Sequence, residues 1–379
     1  MAKKIRVGVI FGGRSGEHEV SIRSARSVIE YLDKGKYEVV PIAITQEGKW
    51  LSPVESIALL PASTSKRFSN TIKQSEKQDV AIIGDPSHKG LVSLNNEGGN
   101  YSSRAIDILF PVLHGTLGED GTIQGLFEMA NVPYVGCGVL ASSCGMDKVT
   151  MKVLFKEAGL PICKYVWFLR NDWEINRNKV IKRIQNELGF SCFVKPANLG
   201  SSVGVSKATD KKTLIEAIDL AARYDRRIIV EEGLDAREIE SAVLGNDQPE
   251  ASFPGEYIIH DEAKKFLDFT EKYSGTGNNA FVVPAPISKS LIKKIQKLAV
   301  VAFKVIDGAG LARVDFFLRR DNGELLINEI NTLPGLTDVS GYPKMWEASG
   351  KDFSVVLDKL IELAIDRHKD KSRNITTRV

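Results

Sequence analysis

Leu311-Ala312-Arg313-Val314-Asp315-Phe316-Phe317 and, beyond an Asp321-Asn322-Gly323 turn signal, Ile327-Asn328-Glu329-Ile330-Asn331 read together as a β-hairpin. With Asp321 to Gly323 as the loop, Arg320 faces Glu324, Asp315 falls opposite Glu329, and Arg313 opposite Asn331. Side chains alternate across a strand, so these polar groups near the open end share one face. Val314, Phe316, Leu326 and Ile330 make the other face and suit a core. Two carboxylates and an amide oxygen form an all-oxygen site for a hard cation such as Mg2+. The arginine beside them suits a negatively charged substrate. Taken alone, the hairpin reads equally well as an ordinary exposed one with a salt bridge. The rest of the chain has to decide.

At 379 residues, two or three domains are expected. The chain is 43% apolar and 26% charged with a formal net charge of +3, an ordinary globular balance. No run of five like charges and no nucleic-acid signature occurs, so nucleic acid is not an expected partner. The run Ile5 to Ile10 after Met1-Ala2-Lys3-Lys4 is too short for a secretion signal and reads as a buried first strand. No stretch is apolar enough to span a bilayer. Cys137, Cys144, Cys163 and Cys192 show no C-x-x-C spacing, which suits reduced thiols in a cytoplasm.

From Ile5 to about Gly136 the pattern is α/β: apolar strands (Ile5 onward, Tyr37 to Ile44, Ile106 to Leu113) run into Gly-rich turns, and a helix is predicted over Val20 to Leu32. That pattern predicts parallel strands with ligand-facing loops at their C-terminal ends. Ser52 to Arg104 is polar and irregular, a surface elaboration with one or two short strands. Asp147 to Ala158 reads as a helix stopped by Gly159 and Pro161. Strands follow at Tyr165 to Leu169, Cys192 to Pro196 and Arg227 to Glu232, and further on at Ile239 to Leu244 and Glu256 to Ile259. Helices are expected at Lys289 to Val305 and Lys351 to Asp366.

Several segments carry chemistry. Phe193-Val194-Lys195-Pro196 followed by Gly200-Ser201-Ser202-Val203-Gly204 delivers a lysine and then a loop whose N–H groups and hydroxyls can wrap phosphates. A flexible hairpin turn is the competing reading, and no Walker P-loop exists in the chain. Leu113-His114-Gly115 with Gly118-Glu119-Asp120-Gly121 puts a histidine at a strand end, where α/β folds collect substrate groups. Gly12 to Ser21 is a similar turn into a helix, and Glu17 there suits a ligand ammonium or simply a favourable first-turn charge. Gly136-Cys137-Gly138-Val139-Leu140-Ala141 matches a dinucleotide fingerprint, but no acidic partner closes a βαβ unit, and a tight inter-domain turn is favoured. Phe269 to Gly277 is polar with glycines at one end, a candidate lid.

In this order, the segments closely resemble the D-alanine–D-alanine ligase family of the ATP-grasp superfamily. The matching stretches are Gly12 to Ser21, His114 to Gly121, Met146-Asp147-Lys148, Val194-Lys195-Pro196, Gly200 to Gly204, Glu271-Lys272-Tyr273, Arg313 to Asp315 and Asn328 to Gly335. The resemblance implies three domains: an N-terminal parallel-sheet α/β domain (1–137), and α+β central (138–235) and C-terminal (236–379) ATP-grasp parts. It implies a cytoplasmic homodimer, not inserted in a membrane, that makes D-alanyl-D-alanine for peptidoglycan through a D-alanyl phosphate.

Carried over position by position, Lys148, Lys195, Ser201, Ser202 and Lys272 would meet the phosphates of ATP, Lys195 could also reach the adenine side, and Glu231, Leu234 and Glu238 would sit at its adenine and ribose. Asp315, Glu329 and Asn331 would hold two Mg2+ (or Mn2+). Glu17 would bind the ammonium of the first D-alanine, with His114 near its carboxyl end, and Ser201 and Tyr273 would join Glu17 to the lid. Arg313 and the backbone of Gly335 would stabilise an oxyanion. Ser340 and Gly341 would bind the carboxylate of the second D-alanine. Asn328 departs from an apolar residue that some relatives carry near the adenine. Rival readings are a D-alanine–D-lactate ligase, against which Tyr273 argues, and a nucleotide-binding regulator without chemistry, against which the intact Arg313, Asp315, Glu329 and Asn331 argue.

Overall fold

The computed structural model describes residues 3–68, 80–88, 90–94, 103–259 and 279–375. The N-terminal part opens with β1 (Ile5–Gly12), α1 (His18–Tyr31) and β2 (Tyr37–Ile44). Two short helices follow, α2 (Pro53–Ala58) and α3 (Ala62–Ser65), and then a small antiparallel sheet of β3 (Val80–Ile82), β4 (Gly90–Ser93) and β5 (Ser103–Ala105). The elaboration read as one or two strands thus carries three among the described residues. β6 (Ile108–Pro111) returns to β1, which pairs in parallel with both β2 and β6. Strands covered on both faces are continuously apolar, which is why the sequence showed unbroken runs here. After α4 (Thr122–Met129), Gly136 takes φ +97° and its backbone lies against that of Gly310, where a Cβ would come within 3.1 Å. The G-x-G-x-x-A match is therefore a tight turn between parts of the molecule. It leads into α5 (Val139–Met146), a helix that the sequence reading did not contain.

The central part is α6 (Lys148–Glu157), β7 (Tyr165–Leu169), α7 (Arg170–Ile175), α8 (Arg177–Glu187), β8 (Cys192–Pro196), β9 (Ser206–Ala208), α9 (Lys211–Tyr224) and β10 (Arg227–Glu232). Its antiparallel sheet runs β7-β10-β8-β9. Alternation sorts the faces: Val194, Ile228 and Val230 pack with Ile184, Leu214 and Ile218 of α8 and α9. Ile229 points the other way onto Val149 of α6, and Lys195 and Glu231 share that side by the same period-two rule.

The last part holds β11 (Ala236–Gly245), β12 (Glu250–Ala251), β13 (Gly255–Ile259), β14 (Asn279–Val282), α10 (Lys289–Val305), β15 (Gly310–Arg319), β16 (Leu325–Asn331), α11 (Gly341–Ala348) and α12 (Phe353–Lys371). Antiparallel strands run β14-β13-β11-β15-β16. One stripe of α10 (Ile295, Ala299, Ala302, Phe303) covers Val314, Phe316, Ile327 and Ile330. α12 instead seats Val356, Leu357, Leu360 and Ile361 in one core with Val7, Val9 and Phe110 of the N-terminal sheet.

The hairpin corrects the sequence reading at its tip. Arg319, not Arg320, donates its N–H to the Glu324 carbonyl, and Arg320 N–H donates to the Asp235 carbonyl. Leu318 accordingly pairs with Leu325 and Phe316 with Ile327. A bulge at Asn328 then absorbs the one-residue difference, so that Asp315 still faces Glu329 and Arg313 still faces Asn331. Between tip and bulge the faces are exchanged on β16: Leu325 and Ile327 join the core that the sequence assigned to Leu326. Ile327 is fully buried against Phe316. Ile327→Ala is therefore expected to cost about 2–5 kcal/mol, read as a lowered denaturant midpoint, and an unchanged midpoint would contradict this register.

Candidate active site

The residues around one cleft arrive from all three parts. Glu17 precedes α1, His114 follows β6, and Lys148 opens α6. Ser201 and Ser202 sit in the loop after β8, Arg313 lies on β15, Glu329 and Asn331 lie on β16, and Gly335 follows it. All nine line one pocket, together with Glu119, Gly200 and Thr332. Asp315, Lys195, Glu231, Leu234, Glu238, Ser340 and Gly341 lie outside that lining. Lys272 and Tyr273, with the candidate lid, are outside the described residues.

Glu17 is tightly seated. A Cβ on Gly115 or on Gly200 would lie 3.2 Å from its Oε1, so two glycines let their loops close on the carboxylate. Burial and, next, the charge of Glu119 raise the Glu17 pKa, while His114, a hydrogen bond from Ser201 and the Arg313 charge pull it back.

His114 is a joint as well as a wall. Its Nδ1–H donates to the Leu333 carbonyl at 3.1 Å and lies 3.4 Å from Glu119 Oε1, and its Nε2 is 2.9 Å from Ser24 Oγ. Burial alone would lower its pKa, but the hydrogen bond and charge of Glu119, then the charge of Glu17, raise it instead.

The Gly-Ser loop holds Ser201 at φ +51° and Ser202 at φ +57°, consecutive left-handed residues with side chains. Non-glycine residues in that region store strain and cluster at ligand-holding loops. Lys148 Nζ donates to the Leu199 carbonyl at 2.6 Å and stands 3.7 Å from Glu329 Oε2. Asp147 accepts from Thr150 N–H as the N-cap of α6 and pairs with Arg227 at 2.7 Å, which fixes where Lys148 begins.

Arg313 clamps Asp315 in a two-pronged pair, Nε to Oδ1 at 2.7 Å and Nη2 to Oδ2 at 2.6 Å. Glu240 Oε2 lies 3.4 Å from Arg313 Nε. Glu240, Asp315 and Glu329 occupy one row across β11, β15 and β16. Burial, with repulsion from Glu240 and Glu329, outweighs Arg313 and pushes the Asp315 carboxyl up to about 6. Asn331 Oδ1 accepts from Leu333 N–H at 3.0 Å. Ser340 directly precedes α11, its side chain making no capping bond to the helix and its Oγ lying 2.7 Å from Thr337 Oγ1. Gly341 sits so close to Glu240 that a Cβ would come within 2.9 Å of Oε2. Leu234 is half-buried between β10 and β11, and Glu238 lies on β11 opposite Phe317. Lys195 Nζ binds Glu231 Oε2 at 2.7 Å.

Sequence reasoning did not single out Glu119, Lys152 or Glu240. Glu119 stood in a quoted motif, but its contact with His114 is tertiary. Lys152 looked like one more helix lysine, and Glu240 like an exposed strand residue.

A phosphate-type Gly-Ser loop on one antiparallel sheet, set beside a carboxylate-bearing hairpin of another, with a parallel-sheet domain closing the cleft, defines an ATP-grasp ligase. Comparison narrows the class. Profiles described as "D-ala D-ala ligase N-terminus" and "D-ala D-ala ligase C-terminus" match residues 6–137 and 154–362. The chain is 48% identical to a D-alanine–D-alanine ligase of Heliobacterium modesticaldum, with 99% of each chain covered. It is 46% identical to one of Natranaerobius thermophilus, covering 99% of this chain and 98% of that one. Among solved structures, the D-alanine–D-alanine ligase of Coxiella burnetii superimposes with a TM-score of 0.81 at 38% identity, covering 98% of this chain and 97% of that one. VanG D-Ala:D-Ser ligase of Enterococcus faecalis superimposes at 0.82 with 37% identity, covering 96% and 100%. The chain belongs to the D-alanine–D-alanine ligase family.

The raised His114 pKa gives a sign to pH dependence. Its ion pair with Glu119 contributes in full below the ordinary pKa of 6.5 and is lost as pH rises through the folded value. Glu119→Gln should lower the thermal midpoint most near about pH 6 and least near about pH 9. A deficit equal at both ends would show that His114 does not titrate against Glu119.

Proposed function

We propose that the protein uses ATP to join two D-alanines into D-alanyl-D-alanine for peptidoglycan precursor synthesis. The observation that carries this reading is the convergence of Glu17, His114, Ser201, Arg313, Glu329 and Asn331 on one cleft in a chain of this family. A carboxylate is a poor acyl donor, so its oxygen first takes the γ-phosphoryl group of ATP, releasing ADP and leaving D-alanyl phosphate. This transfer needs positioning and charge neutralisation more than covalent help. Lys148, Lys195, Ser201 and Ser202, with Lys272 from the lid, have that role at the phosphates. Glu231, Leu234 and Glu238 hold the base and ribose. Glu17 orients the first D-alanine through its ammonium, with His114 near the carboxyl end and Ser201 and Tyr273 linking Glu17 to the lid.

The amine of the second D-alanine, its carboxylate held at Ser340 and Gly341, then attacks the acyl carbon. Arg313 and the Gly335 backbone stabilise the oxyanion, and inorganic phosphate leaves. Lid closure keeps water from the acyl phosphate. Two Mg2+ belong to the same proposal, held by Asp315, Glu329 and Asn331. The donor set is all oxygen, and besides burial, repulsion from Glu240 and Glu329 helps push Asp315 up to about 6, a crowding of negative charge that a divalent cation would relieve. When bound, the ions would neutralise charge on the transferring phosphoryl group. The division into 1–137, 138–235 and 236–379, a homodimeric state and a cytoplasmic location are part of this reading, as is the absence of a nucleic-acid or membrane partner. Among the described residues no helix is long and apolar enough to cross a membrane.

The second substrate is the open choice, because a D-Ala:D-Ser ligase shares the fold. The test is phosphate release from Mg·ATP with D-alanine alone and with D-alanine plus D-serine or D-lactate, products being identified by mass. Phosphate with the D-alanyl dipeptide as the dominant product supports the reading. A preferred mixed product moves it to another second substrate, and no phosphate overturns it. Arg313→Ala should lower kcat by about 10²–10³ with the thermal transition retained; turnover like the parent would sink the oxyanion role.

A further inference from the structure

Lys152 is the most deeply buried charged side chain in the cleft region, with no exposed surface at all. It projects from the middle of α6, and its Nζ meets three different segments: Glu231 Oε1 at 3.1 Å, the Asn328 carbonyl at 3.2 Å and Cys163 Sγ at 3.4 Å. Isolating an ammonium from water costs several kcal/mol unless its partners are well placed. The partners here are not generic. Glu231 also holds Lys195 through its second oxygen, and Asn328 is the bulge residue directly before Glu329. Burial alone would raise the Glu231 carboxyl, but Lys152 and then Lys195 outweigh it and hold it at about 2. Two acceptors in this nest nevertheless make no hydrogen bond: Glu231 Oε1, which has the Lys152 charge without the geometry of a bond, and the buried Asn328 Oδ1. Buried acceptors are normally satisfied. A seat with spare acceptors, behind which the Lys152 charge is already divided among Glu231, the Asn328 carbonyl and Cys163, suits a ligand edge that brings N–H donors.

We propose that Lys152 is a positioning residue for nucleotide recognition: by gripping Glu231 and the bulge carbonyl of Asn328 together, it sets both acceptors to receive the exocyclic amine of a 6-aminopurine. The inference rests on the ATP reading above and goes beyond it, since Lys152 touches neither substrate. It also couples the base seat to the hairpin that carries Glu329. Without Lys152, Lys195 is the remaining cation on Glu231, so it is drawn away from the phosphates while the carboxylate turns from the base.

The experiment compares Mg·ADP with Mg·IDP, whose base carries a 6-oxo group in place of the amine, by calorimetry on the parent protein and on Lys152→Met. The parent should favour ADP. The variant should lose about ten- to a hundredfold in ADP affinity and most of the ADP-over-IDP ratio. In turnover, the KM for ATP should rise while the KM for D-alanine stays within about twofold, a split that general loosening of the fold would not give. A folded variant that keeps the parent ratio overturns the proposal and leaves Lys152 a structural ion. A parent that binds both nucleotides equally fails the base-reading assignment of Glu231 itself, and a parent that binds neither fails the ATP reading. If Lys152→Met does not fold, the double variant Lys152→Met/Glu231→Gln removes both charges. Its recovery of folding with the ratio lost supports the pairing, whereas a retained ratio, or no recovery of folding, overturns it.

Discussion

The bulge at Asn328 is the constraint on which the site depends. On its tip side, the hairpin pairs Phe316 with Ile327 and feeds both into the core under α10. On its other side, the same strands pair Asp315 with Glu329 and Arg313 with Asn331, of which Arg313, Glu329 and Asn331 line the cleft, while Val314 and Ile330 remain in the core. A regular ladder cannot satisfy both, because with period two a one-residue slip moves every side chain of a strand to the opposite face. The extra residue costs a break in pairing, and the Asn328 carbonyl that it turns out is met by the Lys152 ammonium. Packing of α6 against the hairpin therefore stabilises a local irregularity that places two acidic side chains.

A second set of contacts makes one cleft from separate domains. His114 reaches from the end of β6 to the Leu333 carbonyl, and Ser24 Oγ on α1 accepts from Leu336 N–H at 3.4 Å. The chain beyond α11 adds α12, whose apolar stripe joins the N-terminal core, and Arg367 near its end bonds the carbonyls of Tyr134 and Gly136. The first and last segments of the chain are thus fastened together, so the Glu17 and His114 loops are referenced to the hairpin and not left on a free domain. Catalytic groups need such fixed relative positions, and loops acquire them only from the scaffold behind.

Much of this was legible without coordinates. Strands Tyr37–Ile44, Tyr165–Leu169, Cys192–Pro196 and Arg227–Glu232 were readable because each is an apolar or alternating run between clear breaks. The pairing of Asp315 with Glu329 was readable by counting back from Asp321-Asn322-Gly323, yet it came right through two compensating differences: a loop one residue longer at the tip and a bulge below it. Neither leaves a sequence signal, since the groups that meet the bulge, the Lys152 ammonium and the core under Ile327, come together only in the tertiary structure. Helix α5 escaped because Val139 to Met146 is apolar nearly all round, with no stripe to mark a period. Glu240 and Lys152 escaped for one reason: charged residues with ordinary spacing read as solvated, and only tertiary burial separates them from their surface counterparts.

The site's electrostatics explain why such residues are buried at all. Glu240, Asp315 and Glu329 form one row, and Glu17 lies beside Glu119, so the cleft collects carboxylates faster than its own cations offset them. Arg313 answers only part of the row, and Asp315 stays shifted towards neutrality. Towards β8 and β10 the balance is reversed: Lys152 and Lys195 share Glu231, and Lys148 stands near Glu329. A cleft divided in this way is poorly satisfied by itself, because repulsion between like charges is strongest where water is excluded. The reactants of the proposed reaction have the opposite division: an ammonium and divalent cations for the acidic side, phosphates for the basic side. Binding then removes an internal repulsion as well as adding contacts, and stability and occupancy rise together. The strain in Ser201 and Ser202 fits the same logic, since a loop held out of its relaxed conformation is most favourable once phosphate oxygens meet its N–H groups. In the proposed reaction, the cleft's own side chains would supply part of the electrostatic asymmetry that phosphoryl transfer requires, which would lessen reorganisation at the moment of reaction.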